Sequence, residues 1–328
     1  MPELPEVETV RRGLHELIIG RVVKKVTHDT PKGFPNAAAD VEAFLIGSSV
    51  TDVRRRAKVL LIDLSSGYTL VIHLKMTGQL VFVGGARPRS PKPFQTASHR
   101  VSNRVPTPLE ARAADVSEGL TVTAERFGAG HPNESLIGEL PDRSTRVIFE
   151  FVDGSHLYFN DQRKFGWVRL MPTLEVPNID FMKKVGPEPL EHDFTVMEFK
   201  ERFKRRAKTS IKAALLDQTV VAGVGNIYAD ESLWGAAIHP LTRVGEVPEA
   251  KFEVLYTELR DVMNLAIEKG GSTDKNYVNA EGKKGSYMDF ARVFRREGHE
   301  CPRCGTIIIK FKAAGRGTHI CPQCQVLE

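Results

Sequence analysis

The apolar positions near the start of the chain recur at helical spacing. Within residues 5–19 they fall on one face of a helix, namely Val7, Val10, Leu14, Leu17 and Ile18. Gly20 follows the last of them, so the pattern predicts an amphipathic helix that ends at this glycine.

Strand-like runs follow this helix and are separated by Gly, Ser and Asp turns. They lie at residues 21–28, 49–55, 58–64, 68–74 and 79–84, and again at 145–154 and 156–170. A short helix is predicted at 41–46. The pattern predicts an N-terminal β-rich domain with a leading helix over residues 1–171.

A segment of different character interrupts this domain at about residues 85–130. Prolines are frequent between residues 88 and 108, and hydrophobic periodicity is poor until about residue 120. We interpret the segment as an irregular insertion.

From about residue 172 the apolar spacing becomes helical. Residues 172–178 are interpreted as a linker, and helices are predicted at residues 194–206, 210–217, 226–237 and 250–270. The polar, glycine-containing stretch 272–287 predicts an exposed loop. The pattern therefore predicts an α+β protein with two domains, the second helical over 179–290, and a small terminal unit over 291–328.

Composition and charge narrow the class of protein. The chain has 328 residues, of which 41% are hydrophobic and 27% charged, as in soluble globular proteins. No apolar run approaches the ~20 residues of a membrane span, and no signal peptide is visible, so we expect a cytoplasmic protein without membrane contact. The net charge is +5 and the sequence pI about 8.9. Basic clusters at 54–58, 204–212 and 283–296 are compatible with nucleic-acid binding or with ordinary solvated faces.

All four cysteines lie in the last 28 residues, as two CxxC pairs separated by sixteen residues: Cys301, Cys304, Cys321 and Cys324. Two such pairs can direct four thiolates at one point, which predicts one structural Zn²⁺. A redox pair and an iron–sulfur site are the competing interpretations. The intervening sequence predicts a β-hairpin, which the metal would make rigid.

The stretch GVGNIYADESLW, residues 223–234, is a second motif that indicates function. Two glycines flank a turn that leads into a helix beginning near Asn226, in an arrangement similar to a helix-turn-helix DNA module. The helix N-terminus suits a phosphate. An ordinary capped helix explains the same residues, because Asn is a favoured N-cap.

Seven motifs occur together and in order: MPELPEVETVRRGL, RRRAK, HLKMTG, NDQRKFG, GPEPL, GVGNIYADESL and the paired CxxC. In these motifs the chain resembles the formamidopyrimidine-DNA glycosylases, which belong to a larger family that includes endonuclease VIII. The PELPEVET opening favours the formamidopyrimidine branch. The resemblance covers nearly the whole chain except the insertion, and implies an N-terminal β-sandwich, a helix-two-turn-helix domain and a β-hairpin zinc finger.

The resemblance also implies a catalytic group at the amino terminus. In the family the initiator methionine is removed, which makes Pro2 the terminal residue. The α-amine of Pro2, with a pKa of about 8, is nucleophilic at neutral pH. Its attack at C1′ of the damaged nucleotide gives an iminium, which promotes elimination of both phosphates. Glu3 corresponds to the general acid/base, Glu6 to a supporting carboxylate, and Lys58 to a lysine that contacts the phosphate beside the lesion.

The remaining implied contacts are to DNA. His73, Lys212, Asn226 and Arg316 match positions that hold the phosphate backbone. Met76, Arg163 and Phe165 match residues that fill the gap left by an extruded base. Without the resemblance, Met76 and Phe165 would more readily be assigned to the core. The loop 272–287 matches the segment that covers the flipped base.

The implied activity is that of a bifunctional DNA glycosylase and AP lyase, a monomer that acts on oxidised purines and abasic sites in duplex DNA. The alternatives are a non-catalytic, zinc-stabilised damage-binding protein and an endonuclease VIII-like glycosylase for oxidised pyrimidines. Three positions depart from the family pattern. Gln162 replaces a proline, which removes a constraint on the loop. Lys164 replaces an arginine, which removes a bidentate donor, and Phe294 replaces a tyrosine, which removes a phenol.

Overall fold

The computed structural model describes residues 2–84, 125–131, 133–272 and 286–327. In chain order the N-terminal domain contains α1 (Leu4–Ile18), β1 (Val23–His28), α2 (Ala38–Phe44), β2 (Val50–Arg56), β3 (Val59–Leu64), β4 (Tyr68–His73), β5 (Gly78–Val83), β6 (Arg126–Gly130), β7 (Thr145–Phe151), β8 (His156–Asp161) and β9 (Trp167–Pro172). The leading helix and most strands lie within a few residues of their predicted bounds.

Two antiparallel sheets form the predicted sandwich. One has five strands in the order β1-β7-β8-β5-β6, and the other has four in the order β2-β3-β4-β9. The apolar face of α1 joins their shared core, because Val7, Val10 and Leu14 are fully buried there. Helix α1 also packs on β6, where a Cβ at Gly13 would lie 2.2 Å from the Phe127 ring. Glycine is therefore what permits this close approach.

The predicted strand run 156–170 is two strands in different sheets. A turn at residues 162–166 separates β8 from β9, and the Asp161 carboxylate holds it by accepting from Arg163 N at 3.2 Å and Gly166 N at 2.7 Å. Because Phe165 and Trp167 are apolar, the hydrophobic pattern alone does not reveal this reversal.

The insertion boundary is also corrected. Residues 126–130, predicted to be irregular, form the edge strand β6, which pairs with β5 from Val83↔Arg126 to Gln79↔Gly130. Its glycines lower its local strand propensity, so pairing and burial decide its conformation. The rest of the predicted insertion, residues 85–124, lies outside the described residues.

The predicted linker 172–178 is ordered, because β9 reaches Pro172 and Thr173–Asn178 form a 3-10 helix. The helical domain then contains α3 (Asp180–Lys184), α4 (Val196–Lys204), α5 (Ile211–Leu216), α6 (Asn226–Gly235) and α7 (Glu249–Glu268). Helix α3 was not predicted from the sequence. In the described part of the chain, no helix has the length and apolar character needed to cross a bilayer.

The second core lies among α4–α7 and includes Leu4 from the start of α1. Helix α1 therefore contributes side chains to the cores of both domains. The terminal unit contains β10 (Ile309–Ala313) and β11 (Arg316–Ile320), an antiparallel hairpin as predicted. Trp234 of α6 packs with the cysteines of this unit, so the hairpin rests directly on the helical domain.

Candidate active site and nucleic-acid interface

The amino terminus is buried between the two large domains. Pro2 and Glu3 are buried, and Leu4 N donates to Gly223 O at 3.0 Å. Glu3 Oε1 accepts from Ile227 N, in the first turn of α6, at 3.1 Å. A Cβ at Gly225 would lie 2.2 Å from Glu3 Cδ, so glycine at this position is required for the carboxyl to reach the helix.

The environment of Glu3 favours its protonated form. Burial raises the pKa of Glu3 to about 7, against the opposing attraction of the Lys58 ammonium. Its second oxygen, Oε2, is buried without a hydrogen-bond partner among the described residues. A carboxyl that titrates near neutral pH can both give and take a proton there, which is the property required of a general acid/base.

Glu6 connects three parts of the site. Its carboxylate accepts from Glu3 N at 2.7 Å, from the Tyr228 hydroxyl at 2.5 Å and from Ser272 N at 2.8 Å. Burial raises the pKa of Tyr228 well above its ordinary value, so this phenol remains a donor. Glu6 therefore fixes the start of α1 against α6 and against the beginning of the predicted loop 272–287. Residues 273–285 of that loop lie outside the described residues.

Lys58 lies in the turn between β2 and β3 and reaches the same place. Its side chain is buried, and Nζ donates to Val224 O at 2.8 Å. Burial lowers the pKa of Lys58, opposed by the carboxylates of Glu3 and Glu6. The four residues assigned to catalysis from the sequence thus come from two places, the first six residues of the chain and the β2–β3 turn.

A second group of predicted residues forms an exposed cluster on two loops of the sandwich. Met76 is 36% exposed and Phe165 49% exposed, which is unusual for large apolar side chains. Arg163 lies between them, with Nη1 3.1 Å from Met76 Sδ and its guanidinium 4.9 Å from the centre of the Phe165 ring. The three side chains therefore form one exposed cluster, held together by contacts of the Arg163 guanidinium.

His73 lies behind this cluster at the end of β4. Its Nδ1 accepts from Lys75 N at 3.1 Å, and its ring is 5.9 Å from that of Trp167. Burial lowers the pKa of His73 to about 3, so the imidazole is neutral. Any phosphate contact from His73 would therefore be a neutral hydrogen bond.

The zinc-finger hairpin brings Asn226 and Arg316 to the same side of the molecule. Asn226 Nδ2 donates to Gly317 O at 2.9 Å, and Arg316 is exposed. Burial, and to a smaller extent the charge of Arg316, lowers the pKa of Lys58, so Arg316 lies near enough to act on this lysine electrostatically.

The position of Lys212 differs from the phosphate-contacting position that the resemblance implied. It is fully buried, and Nζ lies 2.6 Å from Asp230 Oδ1 and 2.7 Å from Thr318 Oγ1. With these donors engaged inside the protein, its contacts do not present the ammonium to a phosphate. They join α5, α6 and the hairpin instead.

The four cysteine sulfurs converge as a metal site requires. Cys301 Sγ lies 3.9 Å from Cys324 Sγ, and Cys304 Sγ lies 3.4 Å from Cys321 Sγ, with all four within 4.8 Å of one another. Tetrahedral zinc with Zn–S bonds of about 2.3 Å places sulfurs about 3.8 Å apart. The donor set fits a structural zinc ion.

Comparison with known proteins agrees with this geometry. Three family models match: the formamidopyrimidine-DNA glycosylase N-terminal domain at residues 1–168, the H2TH domain of the same enzymes at 185–277, and a zinc finger found in FPG and IleRS at 298–326. The chain belongs to the formamidopyrimidine-DNA glycosylase family. It is a DNA repair glycosylase, and the fold class, the activity and the single structural zinc predicted from its sequence are confirmed.

Individual family members align along their full length. The formamidopyrimidine-DNA glycosylases of Pediococcus pentosaceus and Pelotomaculum thermopropionicum are 37% and 36% identical, with 100% of each chain covered. Lactococcus lactis Fpg in complex with an abasic-site DNA superposes with a TM-score of 0.76 at 30% identity, covering 99% of this chain and 100% of that one. A variant of that enzyme bound to DNA containing Fapy-dG gives the same TM-score at 31% identity.

Two acidic residues of this family member were not selected from the sequence. The buried Glu231 carboxylate accepts from Val293 N at 2.9 Å and Phe294 N at 2.8 Å, and the buried Asp230 accepts from His319 N at 3.0 Å. Both therefore anchor the finger to α6. The sequence feature that could have identified them is a pair of adjacent acidic residues within the otherwise largely apolar segment 223–234.

Lys164 and Phe294, two of the departures from the family pattern, have distinct surroundings. Lys164 adopts φ +57° in the loop that presents Phe165, and its Nζ is 4.0 Å from Asp29 Oδ2. The Phe294 ring packs edge-on against His319, with centroids 4.9 Å apart. The half-buried Phe294 ring thus packs against the finger hairpin through His319.

Proposed function

We propose that this glycosylase uses the α-amine of Pro2, exposed by removal of Met1, to excise oxidised purines from duplex DNA and to cleave the resulting abasic site. The observation that carries the proposal is the burial of Pro2 beside a carboxyl, Glu3, whose pKa is raised to about 7. Nucleophile and proton carrier are adjacent in the chain, so their proximity requires no further ordering.

The chemistry follows from these groups. The amine nitrogen bonds to C1′ as the damaged base leaves with the bonding electron pair, and loss of the amine proton gives an iminium as the sugar ring opens. Glu3 assists the opening and the proton transfers. The iminium accepts electrons as a C2′ proton is lost and the 3′ phosphate departs, and a second elimination releases the 5′ phosphate.

The DNA contacts follow the exposed cluster and the basic groups. Met76 and Phe165 would fill the gap left by the extruded nucleotide, while Arg163 would hydrogen-bond the orphaned base. Lys58, Asn226 and Arg316 would hold the backbone on either side of the lesion, and His73 would contribute a neutral hydrogen bond. Lys212 would act through the finger it anchors.

The proposal also covers the oligomeric state of the protein, its location and the roles of its domains. We expect a monomer that works on double-stranded DNA in a bacterial-type cytosol. The N-terminal domain over residues 1–171 would carry the chemistry, and the helical domain over 179–290 with the finger over 291–328 would grip the strand. The relatives of known sequence quoted above are bacterial enzymes.

Borohydride trapping tests the chemistry directly. Incubation with an 8-oxoguanine:C duplex should give a covalent protein–DNA adduct on the peptide that begins at Pro2, from protein shown by mass spectrometry to lack Met1. Pro2→Gly, which replaces the secondary α-amine by a primary one in a more mobile chain terminus, should give less adduct than the wild type, whereas Pro5→Ala, which keeps the Pro2 amine, should retain it. Normal lesion binding without an adduct would favour the non-catalytic damage-binding alternative and overturn the proposal.

Oxidised pyrimidines are a second candidate substrate class. A structure of wild-type Lactococcus lactis Fpg with DNA containing an oxidised pyrimidine superposes on this chain with a TM-score of 0.75. Cleavage rates on matched 8-oxoguanine:C and thymine-glycol duplexes separate the two classes. A faster rate on thymine glycol would reverse the assignment to oxidised purines.

A further inference from the structure

The turn that carries Lys58 has a strained backbone. Arg56 pairs with Val59, so Ala57 and Lys58 alone connect β2 to β3. Ala57 has φ +52°, in the left-handed region that a residue with a Cβ adopts only at an energetic cost. Surrounding contacts must therefore compensate for this conformation if the turn is to hold Lys58 in one position.

The compensating contacts come from Glu188, in the GPEPL motif that precedes the helical domain. Glu188 Oε1 accepts from Ala57 N at 2.5 Å, and Arg55 Nη1 donates to Ala57 O at 3.1 Å. Arg55 Nη1 also lies 2.6 Å from Glu188 Oε2. The backbone N–H and C=O groups of Ala57 are thus both hydrogen-bonded within one buried network.

This network crosses the boundary between the domains. Arg56 Nη1 lies 3.0 Å from Glu188 Oε1, and Arg56 Nη2 donates to Gly186 O at 2.7 Å. On the other side, Arg55 Nε is 3.1 Å from Glu8 Oε2 of α1. Glu188 and the Arg55 side chain are only 9% and 8% exposed, so water does little to weaken the attraction.

We propose that Glu188 is a positioning residue that holds the Ala57–Lys58 turn so that the Lys58 ammonium stays between Val224 and the carboxyl of Glu3. The inference rests on the proposed function, because it concerns the geometry of that catalytic group. Glu188 itself does not touch substrate. It acts by coupling the segment before the helical domain to the turn, so that the two domains meet with Lys58 in place.

Glu188→Gln tests this role, because it keeps the size of the side chain and removes its charge. Single-turnover cleavage of abasic-site DNA should slow by about 10-fold to 100-fold, as expected when a catalytic group is misplaced by about an ångström. Asp63→Asn is the matched control. It removes the Arg54 ion pair from the outer side of the same hairpin and should leave the rate within about twofold.

A pH profile separates positioning from a general loss of structure. The groups that face Glu3 are Lys58, Glu6, Lys212, Tyr228 and the amino terminus, together with the backbone amide of Ile227. If Glu188→Gln lets Lys58 withdraw, the kinetic pKa assigned to Glu3 should rise by about 0.5 to 1 unit, because an opposing positive charge is lost. An unchanged rate and an unshifted profile in folded Glu188→Gln would overturn the proposal.

A double variant gives an independent result. In a Lys58→Met background, Glu188→Gln should slow cleavage by less than about twofold further, because there is no ammonium left to position. Full additivity would contradict the proposal. If Glu188→Gln does not fold, Glu188→Asp keeps the charge but shortens the reach to Ala57 N, and the same readouts apply. Absence of cleavage by the wild-type chain would instead refute the proposed function itself.

Discussion

Replacement of the buried Glu3 carboxyl should abolish catalysis and stabilise the fold. In Glu3→Gln the amide is nearly the same size and its oxygen can still accept from Ile227 N. It carries no charge, so the desolvation that raises the pKa of Glu3 to about 7 disappears. We therefore expect a variant that is inactive yet unfolds at higher denaturant concentration than the wild type near neutral pH.

The magnitude follows from the pKa of Glu3. A rise from 4.5 to about 7 corresponds to about 3 kcal/mol, since one pKa unit is about 1.4 kcal/mol. A raised acid pKa favours the folded state fully only below pH 4.5, and that contribution is lost as the pH rises through about 7. The advantage of Glu3→Gln should therefore be under about 1 kcal/mol at pH 5 and reach about 2–3 kcal/mol at pH 8.

Urea unfolding at pH 5 and pH 8 measures this difference, with zinc held constant because the metal contributes to stability. Glu16→Gln is the control, because Glu16 lies on the same helix but is exposed, and it should show no pH-dependent gain. A gain for Glu3→Gln that is equal at both pH values, or a loss of stability at pH 8, would refute the argument that burial opposes the charge.

Four further predictions concern the finger, the buried lysine that anchors it and the exposed cluster. Cys304→Ser should release zinc, measured with a colorimetric chelator, and weaken DNA binding while the sandwich keeps its fold. Phe165→Ala should lower lesion cleavage at least tenfold with little change in stability. Val152→Ala, at an apolar residue that is also exposed but lies outside the cluster, should not lower cleavage, and equal effects would contradict the wedge assignment. Arg316→Ala should reduce the slope of log affinity for DNA against log salt concentration by about 1. Lys212→Met should instead destabilise the fold by about 3 kcal/mol or more, because it leaves the buried Asp230 carboxylate without its ion-pair partner.

The sequence alone determined the features that depend on local spacing. The period of the apolar residues defined α1 and most strands, because a helix and a strand repeat over a few residues regardless of what surrounds them. The two CxxC pairs likewise defined the zinc site, because each pair brings two thiolates together by itself. The ordered series of motifs identified the family and with it the candidate residues of the site.

Tertiary structure decided the properties that depend on residues far apart in the chain. Lys212 carries the same charge as any exposed lysine, but Asp230 and, 106 residues away, Thr318 enclose it. Glu3 became a candidate proton carrier near neutral pH only because the glycine turn before α6 leaves space for its buried carboxyl. Burial and electrostatic environment are sums over neighbours from every packed element, so local spacing in the sequence does not specify them.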